Sequence, residues 1–180
     1  NRLSLEYGFG FTSTSEGLRR LCAEGAIEIE PKKAMRIPTL SRGAAEDICA
    51  VRALVEGEAT AYAAQRSTRA TVRKLKALIT AMDGFLELDS FSRYLKANRE
   101  FHFTIYGAAE MHLMVPIIEM LWLQVGPLQT YYTPESRQLG HEFHTTIVAA
   151  IAANDPEAAK EAMVADIRSG ADLLLPFVPE

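Results

Sequence analysis

The chain has 180 residues, 48% of them hydrophobic, with 19 Lys/Arg against 23 Asp/Glu for a net charge of −4. That length and apolar content suffice for a substantial core, and the acidic balance excludes a chain that coats nucleic acid along its whole length. No run reaches the ~18 apolar residues of a membrane span, the N-terminus lacks the layout of a signal peptide, and the well-separated Cys22 and Cys49 form neither a disulfide framework nor a CxxC motif.

These features predict a soluble, cytoplasmic protein with no membrane partner and two buried thiols. Charge is uneven, because residues 1–42 carry seven Lys/Arg against five Glu and so form a mildly basic head on an acidic body. In the head, Thr12 to Leu21 reads as a helix, with Thr12 to Thr14 as capping candidates and Gly25 as its end. Ala26 to Glu30 alternates apolar and acidic residues as a strand does, Pro31-Lys32-Lys33 reads as a turn, and Met35-Arg36-Ile37 as a returning strand. A helix followed by a small hairpin is the closing half of a winged helix, and residues 38–41 then form a short linker.

From Ala44 onward the pattern is helical throughout, in six stretches. The first runs from Ala44 to Gln65 and the second from Thr68 to Leu86. Asp89-Ser90 caps a third that places Phe91, Tyr94, Leu95, Asn98, Phe101, His102 and Ile105 on one side. A fourth covers Leu113 to Tyr131, kinked at Pro127. Thr133-Pro134 opens a fifth that ends near Ala153, and Asp155-Pro156 a sixth that ends near Leu175. Connections this short predict a mainly α fold: an antiparallel six-helix bundle over residues 41–180, preceded by the closing half of a winged helix over residues 1–40.

Four polar residues fall on the apolar stripes of this bundle. Asn98 and His102 are four apart and emerge from one helix face, His144 shares a stripe with Ile147, Val148 and Ile151, and Asp166 shares one with Ala159, Met163 and Leu173. Two imidazoles, one carboxylate and one amide oxygen would make a mixed N/O set for a divalent metal, zinc first, with nickel or manganese as alternatives. The competing explanation is ordinary: core histidines satisfied by neighbouring hydrogen bonds. His141 competes with His144 for the inward position, and His112, at a helix start, is expected in solvent. Arg52 and Glu56, also four apart, are either a structural ion pair or, with Arg52 turned to the cavity, a clamp for a carboxylate ligand. No G-x-S-x-G, H-E-x-x-H or G-x-x-x-x-G-K-[ST] motif occurs, so an enzyme is not expected.

The run from Asp47 to Glu56, then Asn98-Arg99-Glu100-Phe101-His102, Val125-Gly126-Pro127, His144 to Ile151 and Asn154 to Ala159, resembles the FCD effector domain of GntR-family bacterial transcription regulators. The likeness extends from Ala44 to Leu175, and six helices resemble the shorter of two subtypes. The resemblance implies a metal held at Asn98, His102, His144 and Asp166 and a small carboxylate effector that completes its shell, with Arg52 facing the effector pocket. Asn98 stands where the family usually has Asp, and Asp166 where it usually has His, so a single carboxylate is kept in the set.

The head resembles the second half of the family's winged helix-turn-helix at Glu16 to Leu21, Glu24-Gly25 and the Pro31 turn. Where the family reads Ser-Arg-Thr-Pro-Val-Arg-Glu, this chain has Gly10-Phe11-Thr12-Ser13-Thr14-Ser15-Glu16, without either arginine. Thr12, Lys32 and Lys33 are the candidate DNA contacts. The resemblance implies a homodimeric regulator that binds operator DNA and responds to a small organic acid. The alternatives are a sensor or interaction module that has lost DNA binding and, further away, a metal-dependent enzyme.

Overall fold

A computed structural model describes residues 5, 8–29, 35–88, 90–131 and 134–179. In the head, helix α1 spans Phe11–Ala23 and is followed by strands β1 (Glu28–Ile29) and β2 (Met35–Arg36), paired antiparallel with Glu28 opposite Arg36 and Ile29 opposite Met35. An Arg36–Glu28 ion pair of 2.7 Å crosses the hairpin. The strands are shorter than the alternating pattern suggests. The N-cap of α1 is Gly10 rather than a threonine: Thr12 lies inside the first turn, and the Thr14 hydroxyl donates back to the Gly10 carbonyl. Gly25 ends the helix as expected. With φ at +72° it lets the Ala26 N–H reach the Leu21 carbonyl and its own N–H reach that of Cys22, which satisfies two of the otherwise orphaned C-terminal carbonyls.

The body contains α2 (Arg42–Arg66), α3 (Arg69–Glu87), α4 (Phe91–Ala108), α5 (Met114–Val125), α6 (Pro134–Ala152) and α7 (Pro156–Leu174), the six helices expected. Caps fix three of the starts: the Ser41 hydroxyl accepts from the Ala44 N–H, Thr68 from Thr71, and the Asp155 carboxylate from Ala158. Ser90 caps α4 by position but without a side-chain bond, while Asp89, Thr133, Lys32 and Lys33 lie outside the described residues. The fourth stretch is not one kinked helix. It is α-helical only to Val125, and Gly126–Tyr131, which includes Pro127, continues as a 3₁₀ turn because proline cannot supply the N–H that the α ladder needs.

Helix α2 packs against α7, α4 and α5; α7 also packs on α6, and α3 on α4 and α6. Small residues set the closest of these approaches. A Cβ at Gly57 would come within 3.0 Å of Val164, so this glycine lets α2 and α7 draw together and brings Arg52 and Glu56 beside the α7 face that carries Asp166. Tyr106, Phe101, Leu75, Ile105, Ile118, Ile147, Ile151 and Met163 are the large, fully buried side chains of the core. Both cysteines are unpaired as expected, but each is half-buried rather than buried, because Cys22 sits on the thinly packed head helix and Cys49 at the rim of α2.

Candidate metal centre

Helix α4 buries Tyr94, Asn98, Phe101, His102, Ile105 and Tyr106, a stripe repeating every three or four residues. Its polar members meet His144 of α6 and Asp166 of α7. Ligand atoms of His102, His144 and Asp166 all lie within 4.8 Å of one another. His102 Nε2 is 3.5 Å from one Asp166 oxygen and His144 Nε2 is 4.0 Å from the other. The two imidazoles meet edge to face at 5.2 Å between centroids. Asn98, His144 and Asp166 line a partly open cavity of about 60 Å³ together with Arg52, Tyr94, Trp122 and Gln129. That space admits a few water-sized groups, each needing roughly 10–15 Å³.

Beneath the histidines runs a buried polar chain. Arg52 grips the Glu56 carboxylate with two nitrogens, Nε to Oε1 at 2.7 Å and Nη2 to Oε2 at 3.3 Å, and lies 5.1 Å over the Trp122 ring. The Tyr106 hydroxyl donates to Glu56 Oε2 and is 3.2 Å from His102 Nδ1. A phenol has one proton to give. Because that proton goes to the carboxylate, the contact with His102 requires an Nδ1–H that donates to the tyrosine oxygen, and the lone pair of Nε2 is left facing Asp166. Burial first, and the Glu56 charge second, push the Tyr106 phenol well above its ordinary value of 10, so it keeps the proton this chain needs.

Burial governs the ionisation of the triad as well. It holds His144 down at about 3, with His141 adding to the effect, and His102 well below the usual imidazole value, with His144 and Arg52 adding theirs. Asp166 is raised to about 7, chiefly by burial and further by Glu56, although Arg52 pulls it the other way. Two neutral imidazoles therefore sit beside a carboxyl group that ionises near neutrality, which is the protonation state a divalent cation requires of its ligands.

The donor set fits such an ion. A tetrahedral zinc with bonds of about 2.0–2.2 Å holds its donors about 3.3–3.6 Å apart, so the observed spacing needs only small side-chain adjustments. A hydrogen bond from the remote nitrogen of a ligating imidazole is the usual outer support of such a ligand, and His102 has one.

Of the residues singled out from sequence, Asn98, His102, His144 and Asp166 are thus brought to one place, and Arg52 reaches the same cavity wall while engaged with Glu56. His141 is not among them: it pairs with Asp83 at 2.7 Å on the bundle's flank. His112 is exposed, as expected. Thr12 is exposed on α1. Tyr106 and Trp122 were not anticipated. Tyr106 carries a readable signal, since Asn98, His102 and Tyr106 recur every four residues on one face. Trp122 carries none, because it arrives from α5 through tertiary packing.

Residues 47–169 match the family model of the FCD domain, well over half of the chain. The chain belongs to the FCD family. This FCD protein is 25% identical over 165 residues to the HTH-type transcriptional regulator McbR of Escherichia coli (strain K12), a match spanning 89% of the chain and 75% of the relative. It is also 25% identical over 167 residues to the Nta operon transcriptional regulator of Aminobacter aminovorans, spanning 93% and 79%. Its fold is similar to that of the solved E. coli McbR/YncC, with a TM-score of 0.90 at 23% identity over 98% of this chain and 85% of that one. Streptococcus agalactiae GntR is similar at a TM-score of 0.62 and 18% identity, covering 95% and 86%. The FCD protein is accordingly a GntR-family transcription regulator and not an enzyme.

Proposed function

We propose that this regulator holds a divalent metal on His102, His144 and Asp166, with Asn98 as a fourth donor, and that a small organic acid completes the shell and thereby controls binding of the head to operator DNA. Zinc suits the donors best, with nickel or manganese as alternatives. The observation that carries this function is the convergence of two neutral, buried imidazoles and one carboxyl group from three helices, within 4.8 Å. When bound, the ion supplies a positive charge that binds an anionic oxygen. The protein's own residues do the rest: Tyr106 fixes the His102 tautomer, and Glu56 and Arg52 fix Tyr106. Arg52, 12% exposed at the cavity wall, adds positive charge that favours an anion there.

In this scheme the protein acts in the cytoplasm as a homodimer, and no helix among the described residues is long and apolar enough to cross a membrane. The head works as a winged helix-turn-helix, with Thr12 on the exposed face of α1 and Lys32 and Lys33 as wing contacts. Ligand binding favours one arrangement of the heads over another through differential affinity. Metal analysis combined with gel shifts on the protein's own promoter region tests this. The expected result is one metal per chain and salt-dependent DNA binding that changes on chelation. Equal metal content in wild type, His102→Ala and His144→Ala would overturn the centre. Metal binding without any DNA binding would favour the sensor module, which the absence of arginine from the first turns of α1 supports.

A further inference from the structure

We infer that α5 is the element that reports the state of the cavity to the head, with Trp122 reading the bound anion and Gln124 holding α1. This rests on the metal-centred function proposed above. Trp122 is the only tryptophan of the chain, is 7% exposed, and walls two spaces at once. One is the cavity of the candidate centre. The other is a crevice of about 740 Å³ between α1 and the bundle, bordered also by Arg20, Leu21, Arg99 and Glu119.

The Trp122 ring lies 5.2 Å from that of His102 and under the Arg52 guanidinium, yet its buried Nε1–H has no hydrogen-bond partner among the described residues. Buried donors are nearly always satisfied, so this one marks a place where an arriving acceptor changes the balance. The chemistry that answers it is a carboxylate oxygen: one end of a small acid is held at the metal and another oxygen takes the indole N–H.

Two residues further on, Gln124 Nε2 donates to the Glu24 carbonyl at the C-terminus of α1, at 3.0 Å. The same amide packs on Gly25, where an added Cβ would lie 3.3 Å from Gln124 Nε2. Helix α1 buries none of its own residues, so a polar contact of this kind weighs heavily in orienting it. Trp122 and Gln124 share one turn of a 12-residue helix. An indole drawn toward a ligand oxygen therefore moves the amide that anchors the head. Because the N–H has an acceptor in one arrangement only, the ligand discriminates between the two.

Amide hydrogen exchange of residues 11–24, measured in the full chain without additions and with zinc plus acetate, tests the link. Trp122 emission and the melting temperature are followed in parallel. In wild type, zinc plus acetate should shift the emission and change exchange in α1 by about threefold or more. Gln124→Ala should show fast α1 exchange from the start and no further response, while keeping the zinc-induced rise in Tm. Trp122→Phe, which keeps the ring packing and removes the N–H, should lose the α1 response. An α1 response equal in wild type and both variants would overturn the inference, as would no response in wild type when zinc raises Tm. If zinc leaves Tm unchanged in wild type, the metal function fails, and the link to it fails with it. Normal α1 exchange in Gln124→Ala overturns the Gln124 contact whether or not zinc binds.

Discussion

Tyr106→Phe isolates the buried chain under the histidines, because it removes one oxygen and leaves the ring, and therefore the packing, in place. Tyr106 is fully buried, and its hydroxyl both donates to Glu56 and accepts from His102. A hydrogen bond to a charged group contributes about 1.5–3 kcal/mol, and leaving a buried donor without an acceptor costs about 1–3 kcal/mol. The two overlap in part, because Glu56 keeps Arg52 and His102 can change tautomer, so the net loss is about 2–4 kcal/mol. For a chain of this size a loss of about 3 kcal/mol lowers Tm by about 6–12 °C. The tautomer change has a second consequence. Once Nδ1–H has no acceptor, the proton is free to move to Nε2, where it blocks the metal lone pair, and zinc affinity should fall about 10–100-fold. Differential scanning calorimetry and zinc titration against a competing chelator read both effects. A variant that melts within about 2 °C of wild type and binds zinc within about twofold of it would refute the role given to Tyr106.

Arg52→Ala should destabilise by about 3 kcal/mol or more, because it leaves the fully buried Glu56 carboxylate without its cation, and Arg52→Lys should rescue little for want of the two-nitrogen grip; urea unfolding measures both. Asn98→Asp should raise zinc affinity by about tenfold while lowering the Tm of the metal-free protein, since it adds a charged ligand and a second buried carboxyl group. Zinc affinity should climb with pH up to about 7 and then level off. Below that value Asp166 holds a proton that the metal must displace, whereas His144, held at about 3, has none to lose. Calorimetry in buffers of different ionisation enthalpy should find close to one proton released per zinc near pH 6 and none near pH 8.

Local chemistry made much of this fold readable. Ser41, Thr68 and Asp155-Pro156 announce helix starts that the backbone then uses, and Gly25 announces a helix end. Asn98, His102, His144 and Asp166 were visible because a polar group on an apolar stripe has to be explained. What they meet was not visible. The Glu56–Tyr106–His102 chain spans two helices, and Trp122 closes the cavity from α5 through contacts that no periodicity encodes. The choice between His141 and His144 was likewise decided by tertiary packing, since the two are three apart on one helix and Asp83 of α3 takes the first. Pro127 by itself predicts a kink within a helix, but with Gly126 beside it the chain changes to 3₁₀ geometry instead. The strands and Cys22 depart from the pattern because the head packs thinly and alternation alone does not bury a side chain, whereas Cys49 is half-buried because it lies at the rim of α2.

X-ray absorption at the zinc edge, on protein loaded with one equivalent of zinc, tests the metal centre most directly. Two imidazole ligands with oxygen donors, one imidazole fewer in either His102→Ala or His144→Ala, is the expected spectrum. A zinc environment identical in wild type and both variants would show that these side chains do not share an ion.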